Sequence, residues 1–342
     1  MRNILSAFTI LALAFPTWAQ EAKPAPKKNA EKGQLDDEVK KSTAKALEYL
    51  ASKQNSDGSW NAGSGAFQHN TAMTGFVLMA FMSQGHLPNQ GKYGPEVAKG
   101  ARFLINSARQ SDGYLIGAYG GRMYDHGMAT LALSQLWGMT GDEDIKKSLK
   151  RAVDLIVNCQ TADGGWRYEP IPRDSDISVT IMQVMALRGA KDGGIHVPDK
   201  TFKKALEYVN SCKSGNGGYR YQSHGGPPGF ARTAAGICVL KLVGEYENDK
   251  VKDSVQFLKA HMERPTEHYF YGHYYASHAM HQVGGDDWKE YYSMMKKKLK
   301  EKQSNDGSWS QMEIGSVGPV YQTAIAVIVL SVPANYLPIF QR

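Results

Sequence analysis

The chain has 342 residues, 42% of them hydrophobic and 21% charged, apolar content enough for one large packed core or two ordinary ones, which excludes an intrinsically disordered chain. Its formal charge of +7 is mild for this length, and the basic residues fall in short groups such as Lys296, Lys297, Lys298 and Lys300 without interleaved aromatics, so no nucleic-acid partner is expected. Cys159, Cys212 and Cys238 are the only cysteines; an odd count without CxxC spacing excludes a disulfide framework and a zinc knuckle.

From the N-terminus, Arg2, the apolar run Ile4 to Phe15 and Thr17-Trp18-Ala19 follow the order of a secretory signal peptide, so residues 1–19 are expected to be removed. The run is too short to span a bilayer and no Cys follows it to take a lipid, which predicts an exported protein, periplasmic or secreted, with no transmembrane anchor in its mature form. Residues 20–38, rich in Ala, Lys, Pro and Glu and lacking apolar periodicity, read as a flexible tether. Residues 39–342 then read as one domain built by repetition.

The repeat is a turn motif. Gln54-Asn-Ser-Asp-Gly58-Ser-Trp60, Gln160-Thr-Ala-Asp-Gly164-Gly-Trp166 and Gln303-Ser-Asn-Asp-Gly307-Ser-Trp309 are three copies, and weaker ones stand at Gln110-Ser-Asp-Gly113-Tyr114 and Gly215-Asn-Gly-Gly-Tyr219. Before each copy runs an amphipathic helical pattern, for example Ala46, Leu47, Leu50 or Ala152, Leu155, Ile156. After each comes a helix that is apolar nearly all round: Thr71–Phe81, Gly127–Trp137, Ser178–Leu187, Thr233–Leu242, Ala276–Val283 and Thr323–Val332. A helix with no polar face is buried on all sides. Six such helices behind six amphipathic ones predict an all-α (α/α)6 toroid with inner and outer helix rings, the alternative being an open solenoid. In the motif, Gly permits the turn, the Trp ring covers a helix end and the Gln amide binds loop backbone, so Trp60, Trp166 and Trp309 are assigned to structure. Cys159 and Cys212 fall at equivalent repeat positions; a bridge between them is open, though facing helices usually hold their backbones too far apart.

Aligned inner-helix starts give the pairs Asn70-Thr71, Asp125-His126, Asp176-Ile177, Ala231-Arg232, Tyr274-Tyr275 and Tyr321-Gln322, a polar rim above apolar helix bodies. Asp125 and Asp176 on adjacent repeats, with His126 beside one and Arg232 on the next repeat, have the chemistry to share a proton or orient a polar head group. Asp is equally a helix cap, and capping does not exclude ligand contact. The fifth repeat replaces the turn motif with Glu267-His268-Tyr269-Phe270-Tyr271-Gly272-His273-Tyr274-Tyr275, followed by His278 and His281. The histidines invite a metal reading, but no Glu completes an HExxH pattern and aromatic stacking explains the run more simply, so no metal or cofactor is expected. An aromatic wall suits an apolar or cationic ligand. His224-Gly225-Gly226-Pro227-Pro228-Gly229 forms a long loop, either a lid or an irregular connection.

These motifs resemble the QW repeats of squalene and oxidosqualene cyclases and the related toroid of protein prenyltransferase β-subunits, over roughly residues 39–342. Squalene–hopene-type cyclases carry Asp-x-Asp-Asp-Thr-Ala at the third inner helix, with the middle Asp as general acid. The stretch Asp174-Ser175-Asp176-Ile177-Ser178-Val179 matches it at Asp174 and Asp176, while Ile177 replaces the third carboxylate. Prenyltransferase zinc ligands map onto Asp176, Ser178 and Gln322, one true ligand of three, so that zinc site is not expected. The thioester-domain motif Gly-Cys-Gly-Glu-Gln is absent. The resemblance implies an apolar, isoprenoid or lipid-like ligand in the lumen and acid-initiated cyclase or isomerase chemistry by Asp176 with Asp174; the rim columns and the fifth-repeat run add Asp125 and His126 to the acid group and Asn70, Arg232, His273, Tyr274, Tyr275, Tyr321 and Gln322 as ligand contacts. Two alternatives stay open. One is a non-catalytic scaffold docking a protein or glycan, favoured if Met73, Met128 and Met182 plug the lumen; the other is a polysaccharide-active (α/α)6 enzyme with paired acids and exposed Trp.

Overall fold

A computed structural model describes residues 35–62, 70–116, 122–244, 247–263, 268–310, 312 and 317–340. The expected leader and most of the expected tether lie outside the described residues, as does Glu267. Twelve helices alternate between two layers: α1 (Asp37–Ser52) and α2 (Asn70–Ser83), α3 (Gly94–Asn106) and α4 (Met123–Thr140), α5 (Glu143–Asn158) and α6 (Ile177–Asp192), α7 (Asp199–Ser211) and α8 (Phe230–Leu242), α9 (Lys252–His261) and α10 (Tyr269–Val283), α11 (Gly285–Lys302) and α12 (Pro319–Ser331). Among the described residues there is no strand, and no helix is long and apolar enough to cross a membrane.

Odd-numbered helices are outer and amphipathic. In α5, Asp142 caps the N-terminus by accepting from the Asp144 and Ile145 amides, Glu143 and Asp144 place negative charge on the first turn, and Ile145, Leu149, Ala152, Val153 and Ile156 form the buried stripe. Even-numbered helices are inner: most residues of α2, α4, α6, α8 and α12, on every side of the helix, are buried. Each inner helix packs on the next, and α12 packs on α2, so the inner ring closes; the open-solenoid alternative is set aside.

The turn motif is the joint between outer helices. Trp60, Trp166 and Trp309 each donate their indole N–H to a carbonyl in the last turns of the preceding outer helix, Leu50, Ile156 and Leu299, at 2.7, 2.8 and 2.7 Å. Their backbone amides donate to Thr74, Thr180 and Thr323 hydroxyls, each at 3.1 Å, and the Tyr219 amide does the same with Thr233 at 3.0 Å. The Gln amides reach both their own turn and the next outer helix: Gln54 donates to the Glu96 carbonyl, Gln160 to Thr201 and Gln303 to Ser42. The last of these joins α11 to α1, so the joint that links neighbouring repeats also closes the outer ring. Glycine is required within the joint on two counts. Gly164 has φ +100°, and a Cβ there would lie 2.2 Å from the Lys204 carbonyl oxygen of the next outer helix; Gly58, Gly217 and Gly307 meet Lys99, Asp253 and Lys45 in the same way at 2.5 Å.

All three cysteines are free and buried. Cys159 and Cys212 sit as the residues ending α5 and α7, and burial pushes the Cys159 thiol up to about 12.

Candidate functional site

Asp176 is the N-cap of α6. One carboxylate oxygen, Oδ1, accepts from the Val179 amide at 2.8 Å; the other, Oδ2, is buried without a hydrogen-bond partner. The side chain is fully buried, and that desolvation raises its pKa to about 6 against the opposing pull of the Val179 amide, the Tyr221 hydroxyl and Arg167. The Arg167 Nε lies 3.8 Å from Asp176 Oδ2, too long for a hydrogen bond, and is itself buried and unpartnered. Arg167 is held by a close ion pair from Nη1 to Asp174 Oδ2. Asp174 is held in turn, because its Oδ1 accepts from the Ser175 amide at 2.8 Å and from the Gln222 side chain at 3.2 Å.

Tyrosines surround this group. The Tyr168 and Tyr221 hydroxyls are 2.5 Å apart, and the Arg167 guanidinium lies 5.3 Å over the Tyr168 ring. Burial first, then neighbouring groups that include Asp176, push the phenols of Tyr124, Tyr221 and Tyr271 well above the ordinary value. Tyr271, in the first turn of α10, donates to the Ser178 carbonyl of α6 at 3.2 Å, and the Tyr275 hydroxyl reaches the Met182 sulfur at 3.9 Å. Tyr274 sets its ring perpendicular to Phe76 of α2 at 5.5 Å, and its buried hydroxyl has no partner. Helix α10 neighbours α8 and α12 in the ring, so contacts to α6 and α2 run through the lumen. Aromatic side chains of α10 therefore cross the axis below the rim. Met73, Met128 and Met182 are also buried, but Met128 and Met182 fill the α2–α4 and α4–α6 contacts at Gly75 and Gly127.

The other rim residues separate into distinct roles. Asp125 is the third residue of α4, not its cap, and its Oδ2 accepts from the Arg122 amide at 3.0 Å. A proton shared between Asp125 and His126 has no support: His126 Nδ1 accepts from the Leu115 amide at 3.1 Å, Nε2 meets the Ala152 carbonyl at 3.1 Å, and burial lowers its pKa to about 4. That imidazole is neutral and spent on backbone. His273 turns away from the lumen to Tyr291 of α11, 3.0 Å from its hydroxyl, and burial lowers it to about 3. It is not a lumen ligand contact. Asn70 opens α2, buried and with its side-chain oxygen unpaired; the Arg232 guanidinium folds back over Gly229; Tyr321 packs perpendicular to Phe76 at 5.4 Å, and Gln322 beside it is buried. The described histidines of the fifth repeat form no metal group: among the described residues no set of three His, Cys, Asp or Glu could hold an ion. Loop 222–229 is tied at its base, where the Gly229 amide donates to the Tyr219 carbonyl at 3.2 Å.

The sequence-aligned column is out of register in three repeats. The bonds from Trp60, Trp166, Tyr219 and Trp309 define Thr74, Thr180, Thr233 and Thr323 as equivalent, so Asn70 and Asp176 do align, but Gly229 and Pro319 replace Ala231 and Tyr321. In the fifth repeat α10 begins at Tyr269, seven residues before the apolar run that announced it. The shift in the fifth repeat left Tyr271 in the aromatic wall rather than among the site residues, and Arg167, Tyr168 and Tyr221, which precede the inner helices, fall outside the column altogether. One signal was available: Trp166-Arg167-Tyr168 and Tyr219-Arg220-Tyr221 repeat an aromatic-Arg-Tyr triplet on adjacent repeats.

The chain belongs to the prenyltransferase α-α toroid domain family, whose model matches residues 31–188 and again 175–337. It shares the fold of the type II terpene cyclase MstE from Scytonema, solved as an Asp-to-Asn variant in complex with geranylgeranyl dihydroxybenzoate, at TM-score 0.64 and 14% identity over 88% of this chain and 98% of that one. It also shares the fold of an α-1,6-mannanase from Salegentibacter sp. HEL1_6, at TM-score 0.66 and 10% identity over 87% of this chain and 99% of that one. No curated protein sequence matches the chain significantly. The fold is thus one that carries both terpenoid and carbohydrate chemistry, and the three motif tryptophans that an open sugar groove would need exposed are buried in the outer joints.

Proposed function

We propose that the mouth of the inner ring binds an apolar, isoprenoid-class molecule and presents Asp176 to it as a proton donor. The observation that carries this reading is the free oxygen of Asp176: a fully buried carboxyl, neutral at mildly acidic pH, with one oxygen committed to its helix cap and the other beside Arg167 among the tyrosines of the rim. Membership of the toroid family supports it, as does the prenylated ligand of MstE on the same ring. Asp174 acts through Arg167, fixing the guanidinium beside the acid. Asp125 and His126 contribute structure to the neighbouring repeat. The protein does this outside the cytoplasm, once residues 1–19 are removed.

A second reading, a rigid module docking a partner at its loop face, is supported by the aromatic contacts that cross the axis below the rim. One experiment separates the two. Protein purified from the exported fraction is examined by native mass spectrometry and its organic extract is identified. A retained lipid or isoprenoid, lost in Asp176→Ala or Tyr275→Ala variants that still fold, supports the ligand reading, and an N-terminus at Gln20 supports export. An apo mass that stays unchanged when prenyl compounds are offered rejects the ligand reading and leaves the docking module.

A further inference from the structure

The unpartnered atoms at the rim constrain the ligand further. Arg167 Nε carries one N–H that nothing accepts, and Asp176 Oδ2 is a buried oxygen that no well-formed hydrogen bond reaches, with the Tyr221 hydroxyl standing beside the carboxyl. They stand 3.8 Å apart. A single oxygen placed about 2.8 Å from each closes that triangle at ordinary hydrogen-bond lengths. Leaving two such groups unsatisfied is costly, and the surrounding bonds prevent them from relaxing onto one another: Asp174 anchors Arg167, the Val179 amide anchors Asp176, and Gln222 anchors Asp174.

Building on the ligand reading above, we infer that the rim selects an isoprenoid bearing a carbonyl group, whose oxygen seats between Arg167 Nε and Asp176 Oδ2. The donor arithmetic chooses the carbonyl. Oδ1 already accepts an amide proton, so the proton of the neutral carboxyl resides on Oδ2, and that O–H and the Arg167 N–H are two donors converging on one point. A carbonyl oxygen has two in-plane lone pairs and no hydrogen of its own. An alcohol brings a third hydrogen, and an alkene offers only weak acceptance. Burial, against the opposing pull of the Val179 amide, the Tyr221 hydroxyl before α8 and Arg167 before α6, leaves the carboxyl neutral below about pH 6; the other titratable groups around it are Asp174 before α6, Tyr124 on α4, Tyr208 on α7, Cys212 after it and Tyr271 on α10. A carboxyl with a raised pKa is a weaker acid than an unperturbed one, so it suits hydrogen bonding to a carbonyl better than protonating a bare alkene.

The test uses the mature full chain and three probes of matched length at pH 5: farnesyl acetone, the alcohol obtained by reducing its ketone, and the hydrocarbon that carries a methylene in place of the carbonyl. Isothermal calorimetry is expected to show the ketone binding roughly ten- to a hundredfold tighter than the hydrocarbon and tighter than the alcohol. Arg167→Lys, which keeps the charge beside Asp174 but lacks the Nε donor, is expected to reduce that preference to near one without abolishing binding. Carbonyl-labelled farnesyl acetone gives an independent readout: two donors move its infrared stretch below the frequency seen in alkane, and Arg167→Lys moves it back. Equal affinity for the three probes, or an unshifted carbonyl stretch, overturns the inference while leaving the ligand reading in place. Failure of all three to bind a folded protein overturns both.

Discussion

A buried carboxyl whose two oxygens have unequal duties leaves a trace in the pH dependence of stability. Asp176 rises from 3.8 to about 6 on folding because burial disfavours its charge, so the folded state holds this proton more tightly than the unfolded chain does. The resulting stabilisation is fully present below pH 3.8 and is lost as pH rises through about 6, a span of roughly 3 kcal/mol. Urea unfolding of wild type and Asp176→Asn from pH 4 to 7 is therefore expected to show wild type losing about that much relative to the variant; parallel curves would place the carboxyl in water. The joint glycines make the second prediction at this scale. Gly164→Ala adds a Cβ at φ +100° against a carbonyl oxygen that has no room to move, and should cost roughly 2 kcal/mol or more. Gly194→Ala, also at positive φ but with open space around it, should cost less, and equal losses at the two sites would show that contact with α7 is unimportant.

Among the elements, the joints repeat closely enough to be compared with one another. Trp166→Phe removes the indole N–H from the Ile156 carbonyl and part of a buried ring; thermal unfolding should register roughly 2 kcal/mol. Trp60→Phe and Trp309→Phe should fall within about 1 kcal/mol of that value, since their bonds are alike. The elements were also what the sequence revealed best. Three Gln–Asp-Gly–Trp copies and two weaker ones, written out because Gly alone fits the joint, located five of the six repeats and hence the ring. The site was less legible. Asp176 was found from the column of inner-helix starts and Asp174 from the resemblance to the cyclase Asp-x-Asp-Asp stretch, whereas Tyr271 was read only as part of an aromatic wall, because the first turns of α10 are Tyr and His and read as loop until the ring places them against α6. Arg167 was hidden for a different reason: its partner across the gap is made by three-dimensional convergence, and sequence spacing has no record of an unpaired N–H.

On the scale of the molecule, closure distinguishes this protein from a stack of repeats. A solenoid frays from its ends, since terminal repeats lack a neighbour. Here α1 is bonded to the turn after α11 through Gln303 and Ser42, and α12 packs on both α1 and α2. Hydrogen exchange is expected to find the amides of α1 and α12 as protected as those of α5 and α6, and fast exchange confined to α1 would show that the joint at Ser42 is open in solution. Gln303→Ala should lower that protection in α1 and α11 before it affects α5.

The same closing joint spans 261 residues of sequence, and this sets a schedule. A ribosome releases α1, with Val39, Ala46, Leu47 and Leu50 on one stripe, ten intervening helices ahead of α12, against which α1 packs. Until α12 emerges, helix α1 is an apolar surface in search of a mate that does not yet exist. A nascent chain stalled before residue 319 therefore offers that stripe, and the matching side of α2, to anything able to hold it. The ring becomes self-sufficient only when its last inner helix arrives.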